Sequence, residues 1–205
     1  MEEISECITD IILKCWGVLP MDLNEIRELT FAYGGEWELN HVDRLLKLIE
    51  NIGEDQIYDG QLIWIAAHLH DWGAFEQYQE AGKDHAIRSR EIAEGIVEQL
   101  YSDEKRQNII LNAISEHNLR SGYCSSIEST LLRDADNLDF LGFIGIARDF
   151  AKGPRDLKKC MEATEKRTKF FSYLTLPRSI EIGKERLEEI NYFIARIESE
   201  SFGFY

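Results

Sequence analysis

Five histidines hold most of the chemistry open to this chain of 205 residues: His41, His68, His70, His85 and His117. His70 is followed at once by Asp71, at the end of the apolar run Leu62 to Leu69, which only His68 interrupts. His41 stands one residue before Val42 and one turn before Leu45, on the border of an apolar stripe. Asp136 lies in Leu131-Leu132-Arg133-Asp134-Ala135-Asp136-Asn137-Leu138, an acid-rich stretch within an apolar segment. A histidine, a His-Asp pair and an aspartate from three helices would converge on a bundle interior as three or four N/O ligands. With no thiolate among them, such a set suits Mn, Fe, Ni, Zn or Mg rather than a soft metal. A lone histidine at a core edge is normally a hydrogen-bonded structural residue, and each of these can be read that way. A buried carboxylate without a partner is costly, so Asp71 calls for a cation or several donors. Spacing alone leaves the ligand and structural readings open.

The elements that must position these residues are helical almost throughout. Ile4, Ile8, Ile11, Ile12 and Cys15 share one face of a first helix, ended near Gly17 and Pro20. Leu23, Ile26, Leu29 and Tyr33 predict a second, stopped by Gly34-Gly35; Val42, Leu45, Leu46 and Ile49 predict a third. Leu62 to Leu69 reads as a helix buried all round. Ile92, Ala93, Ile96, Val97 and Leu100 mark a fifth helix with Asp84 as N-cap. Ile110, Ala113 and Ile114 mark a sixth, and the Ser-x-x-Glu form of Ser125-Ser126-Ile127-Glu128 starts a seventh as a capping box. Phe140, Phe143, Ile144 and Ala147 place an eighth, closed by Gly153-Pro154. Two more follow, over about residues 155–170 and, after Pro177, over about 178–199, the latter with Ile180, Leu187, Ile190, Ile194 and Ile197 on one stripe. No long alternating pattern, internal repeat or low-complexity tract breaks the series. The expected fold is all-α, a compact multi-helix bundle with the site in its interior. The expected division is a helical extension over residues 1–35 and a single globular unit over 36–200.

Composition narrows the function. The net charge of -15 argues against a protein that coats DNA or RNA, which needs a broad basic face, and against an electrostatic membrane anchor. The chain opens Met1-Glu2-Glu3, the reverse of a basic leader, and no apolar run approaches the ~18 residues of a membrane span. Cys7, Cys15, Cys124 and Cys160 form no CxxC pair and no disulfide framework, so the expected setting is a reducing cytoplasm. Residues 151–170 run against the trend at +4, leaving -19 for the rest. The plain reading of that island is a solvated helix face. The sharper one is local guidance of an anionic substrate.

Three segments carry a resemblance. His41-Val42-Asp43-Arg44, Ala66-Ala67-His68-Leu69-His70-Asp71-Trp72-Gly73 and Arg133-Asp134-Ala135-Asp136-Asn137-Leu138-Asp139 resemble the motifs of the HD-domain metal-dependent phosphohydrolases. His85 to Ala93 and Ile114-Ser115-Glu116-His117 resemble the two further histidine motifs of many members. Leu141 to Phe150 is similar to a segment of small bacterial members, including nucleotide pyrophosphohydrolase-like ones. The likeness spans about residues 36–198. It implies His41, His70, Asp71 and Asp136 as ligands of a divalent cation. His68 lies about 200° from His70 around a helix, cannot face the same metal, and is read as structural.

For His85 and His117 the resemblance offers two roles. Either they bind or protonate the substrate phosphate beside a single ion, with Asp71 also in the catalytic set, or they complete a two-metal centre bridged by Asp71. The short interval from Asp71 to His85 departs from most two-metal members, so the single ion is the expectation. Several relatives have an acid three positions after the His-Asp aspartate; Ala74 stands there, with Glu76 two further on, and the general base is left open. Arg148 and Lys152 are the expected substrate-binding cations, whereas Arg44 and Arg133 read as supporting partners. The function so implied is hydrolysis of a small phosphate ester or anhydride, a nucleotide above all, without nucleic-acid or membrane partners; a homodimer is compatible with it. Two other classes remain: an HD-fold diiron oxygenase and a non-catalytic nucleotide-binding module.

Overall fold

A computed structural model describes residues 21–118, 122–153 and 155–204. The helix expected over Ile4 to Cys15 lies outside them. Among the described residues the chain forms eight α-helices and no strand. Helix α1, Leu23–Ile52, opens on a capping box in which the Asp22 and Glu25 side chains accept from each other's backbone N–H. It is broken at Gly35, where φ is 66° and ψ -169°, a left-handed conformation that suits glycine. The second and third expected helices are thus its two arms. Arg27 clamps them by donating to both oxygens of Asp43, at 2.8 and 3.0 Å. The first arm sinks Ile26 and Leu29 into the same core as the second arm's Val42 and Leu45.

Helix α2, Gly60–Leu69, is the central element and packs against α1, α4 (Glu104–Glu116) and α5 (Ile127–Asp139). Ile63, Ile65, Ala66, Ala67 and Leu69 are all buried, as the unbroken apolar run requires. Each such Leu or Ile stabilises the fold by roughly 1.5–3 kcal/mol. Helix α3, His85–Leu100, starts on Asp84 as expected, and packs on α4 and on the 3₁₀ turn Trp72–Ala74 that follows Asp71. Helices α6 (Gly142–Lys152), α7 (Leu157–Arg167) and α8 (Pro177–Ser201) close the far side of α5.

Two expectations are corrected. The cap of α5 is Ser126, whose hydroxyl accepts from Ser129 N–H at 3.1 Å, not Ser125. Glu128 closes no box and instead accepts from Asp59 N–H at 3.0 Å, joining the starts of α2 and α5. In α6 the apolar stripe faces outward: Phe143 is 55% and Ile144 43% exposed, while Gly145, Ile146 and Arg148 are buried. The inward face is set by the need of Arg148 to reach an anionic partner on α5.

One close approach fixes the site's layout. A Cβ on Gly73 would stand 2.3 Å from the His85 carbonyl oxygen and 2.6 Å from Ser89 N, so only glycine lets the turn after Asp71 lie on the first turn of α3. Gly73 N–H also donates to Ser89 Oγ at 2.8 Å. Gly95, on the same helix, has nothing within 4 Å of such a Cβ. Gly73→Ala is therefore expected to cost about 1–3 kcal/mol by overpacking, and Gly95→Ala to gain up to about 1 kcal/mol from helix propensity. Urea denaturation of the two variants checks the opposite signs.

Candidate metal centre

Two of the five histidines are positioned by one device. His70 and His117 each cap the C-terminus of a helix, α2 and α4, where the last carbonyls are free of helical partners. Each donates Nδ1–H to the carbonyl three residues back, Ala67 at 2.8 Å and Ile114 at 2.6 Å. A ring whose Nδ1 carries the hydrogen presents a bare lone pair at Nε2. His41 lies in the middle of α1, and its Nδ1 instead meets Asp139 Oδ2 at 2.8 Å. His85 begins α3 next to Asp84, which also accepts from the Asn118 side chain at 2.9 Å and so draws the start of α3 to the end of α4.

These placements bring the rings and carboxylates into two adjoining groups. His41 Nε2 faces Asp136 Oδ1 at 3.4 Å. His70 Nε2 lies 3.5 Å from Asp71 Oδ2. The other oxygen, Asp71 Oδ1, lies 3.4 Å from His85 Nε2 and 3.6 Å from His117 Nε2, and those two nitrogens are 3.1 Å apart. Ligand atoms of Glu38, His41, His70 and Asp71 fall within 4.8 Å of one another, as do those of Asp71, His85 and His117. Asp71 belongs to both groups; Asp136 belongs to neither, and adjoins the first through its 3.4 Å approach to His41 Nε2. The first is deep, with His41 and His70 fully buried; the second opens to solvent through Asp71 and His85. A cavity of about 140 Å³ above it is lined by Asp71, His85, His117, Asn118, Asp136, Asn137, Phe140 and Phe170.

The donors fit a divalent cation. His41 Nε2, His70 Nε2 and Asp136 Oδ1 are buried and have no hydrogen-bond partner, a costly state that a cation between them would relieve. The ring of His68 shows why convergence matters. Its Nε2 is also unpartnered, but its Nδ1 meets the Trp64 carbonyl at 2.9 Å, the ring lies tilted against Trp64 at 3.7 Å, and it belongs to neither group. A larger groove, about 580 Å³ along α1, has none of the unpartnered donors in its lining.

Charge is uneven across the site. Burial opposes charge on His41, but its contacts with Asp136 and Asp139 outweigh it and lift its pKa to about 10. Burial instead pushes His70 down to about 4, so this ring is neutral and ready to ligate. Desolvation opposes charge on the partly exposed Asp71, yet His70 and His117 hold its carboxyl well below the usual range. Burial, and then the charge of Asp71, raise Glu38 to about 7.

The remaining expected residues divide. Arg148 is buried, donates to Asp139, and lies over the Trp37 and Phe140 rings at 5.9 and 4.9 Å. Lys152 Nζ sits 4.8 Å from the Trp37 ring centre, within the field of Glu38 and Asp71, and burial lowers its pKa. Arg44 donates to Asp139, whereas Arg133 reaches Thr175 and the Gly122 carbonyl away from the site. Glu76 is exposed and outside both groups. Glu38 was not singled out from sequence, and Asp139 stood only as the last residue of a motif, with no role given; each lies three residues from an expected ligand, His41 and Asp136.

A family model described as HD domain matches residues 39–141, half of the chain. Among solved structures, a predicted HD superfamily hydrolase from an uncultured Thermotogales bacterium is 23% identical over 87% of this chain and 92% of its own, with a TM-score of 0.64. Bacillus subtilis YpgQ in complex with ADP is 22% identical over 86% and 93%, at 0.63. An HD-superfamily hydrolase from Bacillus thuringiensis is 24% identical over 86% and 95%, also at 0.63. At these identities the likeness shows a shared fold. No curated protein matches the chain.

The His41 proton must leave when a cation takes Nε2. With a pKa of about 10, that proton stabilises the metal-free fold fully below about pH 6.5 and decreasingly as pH rises toward 10. Apparent cation affinity should therefore rise about tenfold per pH unit between pH 7 and 9. Chelator competition across that range measures the slope; a flat profile would contradict the assignment of His41.

Proposed function

This chain belongs to the HD-domain family, and we propose that it is a metal-dependent phosphohydrolase acting on a small phosphate ester or anhydride, a nucleotide. The observation that carries this reading is that two unpartnered buried nitrogens, His41 Nε2 and His70 Nε2, fall within 4.8 Å of each other and of the half-open Asp71, with the equally unpartnered Asp136 Oδ1 3.4 Å from His41 Nε2. Those four residues would hold the cation, with two neutral and two anionic ligands. When bound, the ion supplies charge for a phosphate oxygen and acidifies a water. The ADP complex of YpgQ, of the same fold, supports a nucleotide as substrate.

The chain's own residues do the rest. His85 and His117 border the cavity, within reach of an entering phosphate; His117, where burial opposes charge but Asp71 outweighs it and raises the pKa, can as an imidazolium donate Nε2–H to its oxygens or to the leaving group. Phe140 and Phe170, stacked at 4.8 Å, form an apolar wall that keeps bulk water from one side. Lys152 adds a cation within the field of Glu38 and Asp71. Glu38, with its pKa near neutrality, is the carboxylate best suited to take the proton from an attacking water. The bond from that water oxygen to phosphorus forms as the bond to the leaving oxygen breaks, and the positive groups offset the charge on the remaining oxygens.

A second reading rests on the group of Asp71, His85 and His117, whose donors are close enough to share a further ion. Two ions would accommodate a two-metal hydrolase or diiron oxygen chemistry. Two irons per chain with O₂ uptake would select the oxygenase.

His70→Ala and Asp71→Ala are each expected to lose both bound cation and phosphate release, read by elemental analysis and a screen of nucleotides with several divalent ions. Full activity in a metal-free double variant would sink the proposal. Glu38→Gln is expected to keep the cation and lose about 10²-fold in kcat.

A further inference from the structure

We infer that Asp139 is a positioning residue of the cation centre: it holds His41 in the one tautomer and orientation in which Nε2 can ligate. The inference rests on the metal-centre reading above and deepens it. Three of the site's rings need their Nδ1 fixed. For His70 and His117 the free carbonyls at helix ends suffice. His41 has no such carbonyl, because in the middle of α1 the backbone acceptors already serve the helix. Its partner must come from another element, and α5 brings Asp139, 1% exposed, to 2.8 Å from Nδ1.

The geometry also decides which nitrogen carries the hydrogen. Arg44 donates Nε–H to Asp139 Oδ1 at 2.6 Å and Nη2–H to Oδ2 at 2.9 Å, and Arg148 donates to Oδ2 as well. A carboxylate between two guanidiniums is ionised and can only accept. Arg148 Nη1 also lies 3.3 Å from Nδ1, but the shorter 2.8 Å contact with Asp139 can be made only by an Nδ1–H, so Nδ1 carries the shared hydrogen and Nε2, on the Asp136 side, is the nitrogen that can ligate. Asp136 and Asp139 are one turn apart on α5, so a single helix grips both nitrogens of the ring, one carboxylate on the ligand side and one behind it. A carboxylate behind a ligating imidazole also raises its basicity and thus its strength as a donor. On this account Arg148 acts through Asp139 rather than by touching the phosphate.

The test uses Zn²⁺ with the full chain. Asp139→Asn should bind Zn²⁺ roughly tenfold to a hundredfold more weakly than the wild type in chelator competition. Asp134→Asn is the control for a merely structural loss. Asp134 is equally buried on α5, but it accepts from Thr175 N–H, Leu176 N–H and the Ser179 hydroxyl, away from the ring. It should lose stability and keep Zn²⁺ affinity. A ¹⁵N histidine spectrum of the Zn²⁺-loaded wild type, which needs no variant to fold, should show His41 protonated at Nδ1 with the metal on Nε2. Asp139→Asn within twofold of wild-type affinity, or His41 protonated at Nε2, would overturn the inference. A wild type that takes up no Zn²⁺, Mn²⁺ or Fe²⁺ would instead overturn the metal-centre reading beneath it.

Discussion

Two imidazole nitrogens and a carboxylate oxygen, buried side by side with no hydrogen-bond partner, are the constraint on which the rest of this structure depends. Nothing in a helical bundle requires such a cluster, and the apolar core would be more stable without it. The fold tolerates it because each donor is held from behind. His70 is anchored by a carbonyl of its own helix, and His41 by a carboxylate from α5. That carboxylate is in turn neutralised by Arg44 and Arg148. The cluster is preorganised before any cation arrives, with a proton on His41 as the placeholder.

The supporting elements follow from this need. Gly35 bends α1 so that its second arm carries Glu38 and His41 inward while the first arm still fills the core with Ile26 and Leu29. Gly73 lets the turn after Asp71 rest on α3, which sets His85 beside His117. Arg148 takes the inward face of α6 and sends Phe143 and Ile144 to the surface, against the pattern of their apolar spacing.

Much of this was legible in the sequence because the helices obey a single period. The break at Gly34-Gly35, the Asp84 cap and the start of α8 at Pro177 all stand where local chemistry puts them. Motif order pointed to the HD domain, and simple helix geometry separated His68 from His70. The misses share a cause. Ser126 rather than Ser125 caps α5 because Glu128 is drawn to Asp59, a contact 69 residues away in sequence. Glu38 is one acid among 38, and Asp139, though it ends a motif, gains its role only from tertiary convergence on His41. The orientation of α6 likewise depends on an ion pair between helices, which local periodicity does not encode.

The central claim is that these buried donors exist to hold a divalent cation. Anomalous diffraction at the metal edge, from crystals of the loaded protein, tests it most directly. The account predicts a peak at about 2.0–2.2 Å from His41 Nε2, His70 Nε2 and an oxygen each of Asp71 and Asp136. A loaded protein with no anomalous peak between these residues, or with its metal bound only elsewhere, would contradict it.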